Sequence, residues 1–145
     1  ILSRYPLHDL ANIDLTVRFK KRRRALLARC RVADEQHVRT LVVANVHLGL
    51  AEFERRIQVR RLLADEHLKR LRSMTPCVIA GDFNDVWART GRPLLQTFPA
   101  AMPFRPLDRA YVRGDLHVTG TFAGHSKMAR EASDHRPLVV DLELA

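Results

Sequence analysis

The chain has 145 residues, of which 25 are basic and 16 are acidic, so its formal net charge is +9. Hydrophobic residues make up 46% of the chain, yet no apolar run approaches the roughly 20 residues that a membrane-spanning helix needs. Apolar segments such as residues 41–46 exclude intrinsic disorder, because burying them offsets the entropy of folding. We therefore expect a folded, soluble domain, with the cytoplasm as the favoured compartment and no assigned oligomeric state.

The two cysteines exclude a disulfide framework and a four-ligand zinc cluster. Arginine supplies most of the positive charge, and its planar guanidinium binds phosphate in a bidentate manner better than lysine does. The charge favours an anionic partner without naming it.

The first elements in chain order are two strands and a turn. Residues 12–19 alternate between apolar and polar side chains, which predicts a strand with one inward face. Residues 20–24 are all basic, and a second strand is predicted over residues 25–32. We interpret the basic run as a solvated hairpin turn, with contact to a phosphate backbone as the alternative.

The middle of the chain has the pattern of a β-α-β unit. Residues 38–46 predict a central strand covered on both faces, and residues 76–80 predict a second apolar strand. Between them, residues 51–74 have helical spacing, with a charged face opposite an apolar side. That apolar side consists of Phe53, Ile57, Ala64, Leu68 and Leu71, widened by Leu62 and Leu63. We expect this helix to pack on the sheet rather than to bind nucleic acid.

The last third of the chain predicts mainly strands. A short helix over residues 92–98 and a proline-marked loop precede strands at 107–112, 116–122 and 137–144. Residues 124–133 are predicted to form a loop, and the chain contains no internal repeat.

Four polar clusters lie where predicted strands begin or end, which is where sites are usually built. They are His47, Asp82 with Asn84, Asp108, and Asp134 with His135. Their oxygen donors suit a hard divalent cation, and a carboxylate with an imidazole can act as an acid/base pair. Zinc-ligand spacing, a Gly-x-Ser-x-Gly turn and a glycine-rich phosphate loop are absent from the sequence. The set favours hydrolysis by an activated water over covalent catalysis.

The motifs around these clusters identify a resemblance. Asn-Val-His-Leu (45–48), Gly-Asp-Phe-Asn (81–84), Leu-Asp-Arg-Ala-Tyr-Val (107–112) and Ser-Asp-His-Arg-Pro (133–137) occur in order along the chain. This order and spacing resemble the endonuclease/exonuclease/phosphatase superfamily, as does the opening Ser-Arg-Tyr-Pro (3–6). The resemblance implies a DNase I-like α/β fold, also classed as α+β: a four-layer α/β/β/α sandwich. It also implies phosphoester cleavage with Mg²⁺, or alternatively Mn²⁺.

The resemblance assigns roles near the attacking water by matching position. Asp82 would orient the water and help to deprotonate it, while Asn84 would hold that water or a phosphate oxygen. His47 would stabilise the developing charge or assist the leaving oxygen. These roles agree with the concentration of negative charge on phosphate oxygens in the transition state.

The resemblance also assigns roles at the phosphate and the metal. His135 would contact the scissile phosphate, with Asp108 accepting its other ring N–H, and Asp134 would ligate the metal. Asn45 is a weaker candidate that supports the site from behind.

One expected residue has no counterpart. Members of this superfamily carry a glutamate metal ligand in the first half of the domain, whereas Glu52 and Glu54 fall on the predicted helix and do not match it. We expect residues 1–145 to form one domain that lacks its N-terminal half within a longer protein. Alone, these residues are expected to bind metal poorly and to turn over little.

The substrate remains open between DNA, RNA, a phosphoinositide, a sphingolipid and a small phosphodiester. The basic balance favours nucleic acid, but Arg109 follows Asp108 where abasic-site nucleases carry tyrosine, which argues against that branch. A nuclease or general phosphodiesterase is the favoured enzyme, with a lipid phosphodiesterase or phosphatase as family alternatives. The alternative from another class is a nucleic-acid-binding or interaction module that keeps the fold without the chemistry.

Overall fold

The computed structural model describes residues 1–33, 38–85, 100–103, 107–124, 127–135 and 137–145. Along the chain the elements are β1 (Leu7–Asp14), β2 (Arg24–Ala33), β3 (Val38–His47), α1 (Glu52–Ala64), α2 (Glu66–Lys69), β4 (Cys77–Asp82), β5 (Ala100–Pro103), β6 (Asp108–Arg113), β7 (Leu116–Ala123), α3 (Lys127–Ala132) and β8 (Leu138–Leu144). None of the described helices is both long and apolar enough to cross a bilayer.

Six strands form the main sheet, in the order β1-β2-β3-β4-β6-β5. Strands β3 and β4 pair in parallel, and the other neighbours pair antiparallel. Helix α1 lies between β3 and β4 in sequence, so the predicted β-α-β unit is confirmed. Helix α1 returns the chain to the end of the sheet where β3 begins. Strands β3 and β4 therefore run in the same direction, and their carboxyl ends lie side by side.

Helix α1 differs from the predicted helix in its length and in the side chains that it buries. The helical segment ends at Ala64, and a second short helix begins at Glu66 after Asp65, whose carboxylate accepts a hydrogen bond from the backbone N–H of His67 at 3.0 Å. A single helix over residues 51–74 was therefore wrong. Phe53, predicted to face inward, is 54% exposed. The buried positions of α1 are Glu54, Arg55, Gln58, Val59 and Leu62.

Most predicted strands are confirmed, with shifted ends. The first strand begins and ends five residues earlier than predicted, so residues 20–23 of the basic run belong to a longer connection between β1 and β2, and Arg24 begins β2. The predicted loop at 124–133 contains α3, and part of the proline-marked segment forms β5. The predicted helix at 92–98 lies outside the described residues.

Strands β7 and β8 form a second, two-stranded antiparallel sheet on the face of the main sheet opposite α1. The larger core lies between α1, α2 and the main sheet, where Val59 and Leu62 meet Val42, Ala44 and Ile79. A smaller core joins the two sheets, with Val78 and Val112 packed against Leu116, Val118 and Leu142. Helix, sheet and sheet are successive layers of the predicted α/β/β/α sandwich.

Gly81 permits the close pairing of β3 and β4 beside the strand ends. Its φ is +138°, and a Cβ built there would lie 2.0 Å from the backbone oxygen of Val46. Only glycine adopts this conformation without strain, and the colliding atom is backbone that cannot rotate away.

We predict that Gly81→Ala lowers the free energy of unfolding by about 2 kcal/mol or more, because both strain and overlap must be relieved. Urea denaturation of the full protein measures this change. Gly120→Ala is the matched control, since its new methyl would meet only the carboxylate of Asp141, an exposed side chain that can move. Equal losses in the two variants would contradict the role given to Gly81.

Candidate active site

The register of three neighbouring strands places three of the predicted site residues side by side. His47 at the end of β3 is paired with Asp82 at the end of β4, and Asp82 is paired with Asp108 at the start of β6. Residues directly opposite each other in a sheet share a face, with neighbouring strands about 5 Å apart. Side chains that are 26 to 61 residues apart in sequence therefore form one row at the edge of the main sheet.

Asp82 is the centre of this row. Its Oδ1 accepts a 2.8 Å hydrogen bond from the backbone N–H of Asn84, and its Oδ2 lies 3.4 Å from Nε2 of His47. The side chain of Asp82 is 20% exposed and that of His47 is 58% exposed, so both are open to a ligand. Asn84 has a φ of +49°, a left-handed conformation that asparagine tolerates. Its side-chain Nδ2 donates to the carbonyl of Leu48 at 2.9 Å, which ties the loop after β4 to the loop after β3.

His135 reaches the row from the connection between α3 and β8. Its Nδ1 lies 2.7 Å from Oδ2 of Asp108, and its backbone N–H donates to the Ser133 hydroxyl at 3.0 Å. The hydrogen bond to Asp108 and the negative charge of that carboxylate raise the pKa of His135 above its ordinary value, and Asp82 and Asp134 raise it further. The imidazole is thus held in orientation and kept cationic to higher pH, with Nε2 left to meet a ligand.

Asp134 and Asn45 lie at the margin of the row. Both are exposed, and Asn45 occupies the position opposite Ala80, two residues before His47 on the same face of β3. Within the described ranges, no three His, Cys, Asp or Glu side chains are grouped closely enough to hold a metal ion. The carboxylate of Asp134 is thus one oxygen donor of the kind that Mg²⁺ prefers, but a complete ligand set requires further donors.

A cleft of about 540 Å³ opens between the two sheets beside His135. Asp108, Arg109 and His135 line it near the row, and the rest of its wall is mainly apolar side chains from β3, β4, β6 and β8. The sequence did not predict this cleft, because its walls come from two sheets whose packing is not encoded in a local pattern.

A buried polar cluster beneath the row was also missed. The backbone N–H of Gly49 donates to Oε1 of Gln58 at 2.8 Å, and Nε2 of Gln58 donates to Glu54 at 3.1 Å. Gln58 is fully buried, and Gly49 follows His47 by two residues. This cluster fixes the loop that leaves β3 at the site.

A second buried cluster supports the loop after β4. Arg109 donates to the backbone oxygen of Asp85 at 2.8 Å, and the Arg55 guanidinium lies 3.7 Å from the Asp85 carboxylate. Arg55 also donates to the backbone oxygen of Leu50. The sequence carries a signal for it, because Arg55, Val59 and Leu62 have helical spacing along one stripe.

These layered sheets, with a row of carboxylates and imidazoles at one sheet edge, define a chain of the DNase I-like α/β type. A scan against protein-family models agrees, since residues 1–135 match the model of the Endonuclease/Exonuclease/phosphatase family. The chain belongs to that family, whose members are generally phosphoester hydrolases.

Comparison with known proteins gives the extent of the likeness. The chain is 31% identical over 161 residues to the uncharacterized protein YbhP of Escherichia coli (strain K12), covering 99% of this chain and 62% of YbhP. The human Nocturnin catalytic domain with bound sulfate anion superposes with a TM-score of 0.78 at 20% identity, covering 98% of this chain and 61% of that chain. D. rerio TDP2 complexed with single strand DNA product gives a TM-score of 0.66 at 17% identity, covering 97% and 69%. The DNase I-like fold is thereby confirmed.

The His135–Asp108 contact predicts a graded pH response. We expect Asp108→Asn to lower the pKa of His135, because it removes the carboxylate charge and leaves only a neutral hydrogen-bond acceptor, and Asp134→Asn to lower it less. Titration of the His135 ring resonances by NMR in the full protein measures both shifts. An equal shift in the two variants would contradict the contact.

The same pair links stability to pH. Folding raises the pKa of His135 above its unfolded value of 6.5. The pair's contribution to the free energy of unfolding is therefore complete at pH values below 6.5, and it is lost as the pH rises through the pKa of the folded state.

Gln58→Leu is predicted to lower the free energy of unfolding by about 1–3 kcal/mol, since it leaves the Gly49 N–H without its acceptor. Arg56→Leu on the same helix is the control. Its exposed ion pair with Glu52 contributes at most about 1 kcal/mol. Chemical denaturation compares the two, and a smaller loss in Gln58→Leu would refute the supporting role.

Proposed function

We propose that this chain forms the main part of the site of a phosphodiesterase or nuclease that cleaves a phosphoester with an activated water. The observation that carries the proposal is the row of His47, Asp82 and Asp108, joined by His135 through its 2.7 Å contact with Asp108. A module that only binds nucleic acid has no need for a carboxylate-oriented imidazole. The chain spans about 62% of the length of the curated relatives it matches, so the activity proposed is that of the longer protein.

Each side chain has a defined task in this proposal. Asp82 accepts a proton from the attacking water. Asn84 holds that water or a phosphate oxygen through the amide N–H and oxygen that its bond to the Leu48 carbonyl does not use. His135 donates from Nε2 to a non-bridging oxygen, where negative charge increases in the transition state. His47, beside Asp82 and widely exposed, stabilises the charge on the leaving oxygen.

The proposal includes a divalent cation, Mg²⁺ or Mn²⁺, with Asp134 as one ligand. Such an ion, when bound, neutralises charge on the phosphate oxygens. The remaining ligands, including a glutamate, would come from the part of the longer protein outside this chain. We propose on the same basis that residues 1–145 alone bind the metal poorly and turn over little.

The substrate class is a proposal as well. The net charge of +9 favours a nucleic acid, and the TDP2 neighbour was determined with a single strand DNA product. A lipid phosphodiester and a small phosphate ester stay as alternatives within the family.

The test is hydrolysis of bis-(4-nitrophenyl) phosphate by the full protein, with Mg²⁺ and with excess chelator. We expect activity only with the metal. We also expect at least a hundredfold lower kcat in Asp82→Asn, because the proton acceptor is lost.

Asp9→Asn is the matched control. Asp9 is exposed near the amino end of β1, away from the row, and asparagine tolerates its φ of +49°. Its rate should equal that of the native protein. An Asp82→Asn variant with the native rate would remove the mechanism, and chelator-resistant hydrolysis would remove the metal.

A further inference from the structure

The densest positive charge of the chain lies in the connection between β1 and β2. This segment, residues 15–23, is named here the basic hairpin, and five of its nine residues are arginine or lysine, while none is acidic. The side chains of Arg18, Lys20, Lys21 and Arg22 are exposed. A surface of this kind raises the local concentration of anions.

Hydrogen bonds hold the backbone of the basic hairpin, while its charged side chains are exposed to solvent. Backbone bonds join Leu15 to Arg23 at 2.9 Å and Lys20 to Val17 at 3.0 Å, and the side chain of Thr16 accepts from the Arg23 N–H at 3.2 Å. Leu15 and Val17 are buried beneath it. The backbone that carries the cations is therefore already ordered, which lowers the entropic cost of binding.

Helix α1 holds the basic hairpin from one side. Arg61 donates to the backbone oxygen of Thr16, and the ammonium of Lys20 lies 5.2 Å from the ring centroid of Phe53. Hydrogen bonds from Thr16, and then the charges of Arg24 and Arg61, lower the pKa of Asp14 at the base of the hairpin. Arg24 and Arg61 thus add their positive charge beside the basic hairpin.

An exposed aromatic ring stands among these cations. Phe19 is 90% exposed, has a φ of +63°, and lies 4.7 Å from the guanidinium carbon of Arg18. A bulky side chain rarely adopts a positive φ, and here burial of the ring does not compensate for that strain. An aromatic ring displayed beside arginine and lysine is the arrangement that stacks unpaired bases and contacts their phosphates.

The position of the basic hairpin relates it to the candidate active site. Strand β2 begins at Arg24, and its next residue, Ala25, is paired with Val46, so Arg24 lies at the level of His47 on the adjacent strand. Asp82 is one strand further along. With about 5 Å between strands, the backbone of Arg24 lies roughly 10 Å from that of Asp82 at the same end of the sheet, with the basic hairpin packed on the α1 side and the row facing the opposite side.

We infer that the basic hairpin is a binding surface for the single-stranded nucleic acid on which the site acts, with phosphates on its arginines and lysines and a base stacked on Phe19. This inference rests on the proposed function. It requires unpaired bases, because a paired base presents no free face to the ring. An anionic membrane is the alternative that the vesicle experiment tests, since a phenylalanine beside basic residues also inserts at lipid interfaces.

The test is binding of a fluorescein-labelled single-stranded DNA 20-mer to the full protein, followed by fluorescence anisotropy in excess chelator, so that turnover does not enter. The triple variant Lys20→Ala/Lys21→Ala/Arg22→Ala should bind at least tenfold more weakly. It should also reduce the slope of log K against log salt by about two, since each phosphate contact on a single strand contributes about 0.7. Phe19→Ala should bind about fivefold more weakly or worse, with the slope maintained.

A second triple variant, Lys69→Ala/Arg70→Ala/Arg72→Ala, is the matched control. It removes the same charge from exposed positions that precede β4, at the opposite end of that strand from Asp82. It should bind like the native protein, and thermal unfolding verifies that all variants are folded. Equal weakening by both triple variants would reduce the effect to net charge and overturn the inference.

Two further outcomes separate this inference from its alternatives. If Phe19→Ala loses binding to phosphatidylglycerol vesicles while binding of the 20-mer is unaffected, the surface is a membrane contact and the inference is wrong. If the native protein fails to hydrolyse any phosphodiester yet the hairpin variants lose the 20-mer, the binding surface stands and the proposed hydrolysis fails.

Discussion

The candidate site depends on the two neighbours of β4: β3 runs parallel to it on one side, and β6 runs antiparallel to it on the other. Parallel pairing with β3 brings two carboxyl ends together, and antiparallel pairing with β6 brings an amino end to the same place. His47, Asp82 and Asp108 are consequently in register, which a shift by one residue would destroy, because it would turn one of them to the helix side of the sheet. Gly81 belongs to this constraint, since the oxygen of Val46 occupies the space that any larger residue would need.

The polar interactions around the row hold the loops that follow β3 and β4. Gln58 anchors the turn after β3, the Asp85 cluster anchors the turn after β4, and Asn84 joins the two turns. Buried polar groups of this kind contribute little net free energy, but each is costly to leave unpaired. Their effect is to restrict the loops to one arrangement. The His135–Asp108 bond does the same between the connection that leads into the second sheet and the edge of the main sheet.

The strands, the β-α-β unit and the identity of the row could be predicted, because alternation and apolar runs are local and the motifs sit at strand ends. The face of α1 that is buried could not be predicted. Counting apolar residues placed Phe53 inside, whereas the tertiary structure buries Arg55 and Gln58, whose polar ends satisfy backbone groups of the site loops. The break at Asp65 was missed for a similar reason, since a capping aspartate in a charged helix resembles its neighbours. A complete set of metal ligands could not be predicted either, since no three His, Cys, Asp or Glu side chains of the described residues lie close enough together to hold an ion.

Charge distribution connects the row to the basic hairpin. The row carries the carboxylates of Asp82 and Asp108, with that of Asp134 at its margin. In the proposed function an approaching phosphodiester meets like charge there, which His135, whose pKa is raised, offsets only in part. Arg24 is already roughly 10 Å from Asp82, which is about the screening length in 0.1 M salt. In the proposed complex the hairpin therefore acts weakly on the scissile phosphate and more strongly on its neighbours along a strand. Binding energy gained at those neighbouring phosphates can then hold the scissile group against the acidic row. A long polyanion benefits from this arrangement, whereas a single phosphate does not reach it. The basic hairpin thus favours an extended polyanion over a small ester as the proposed substrate.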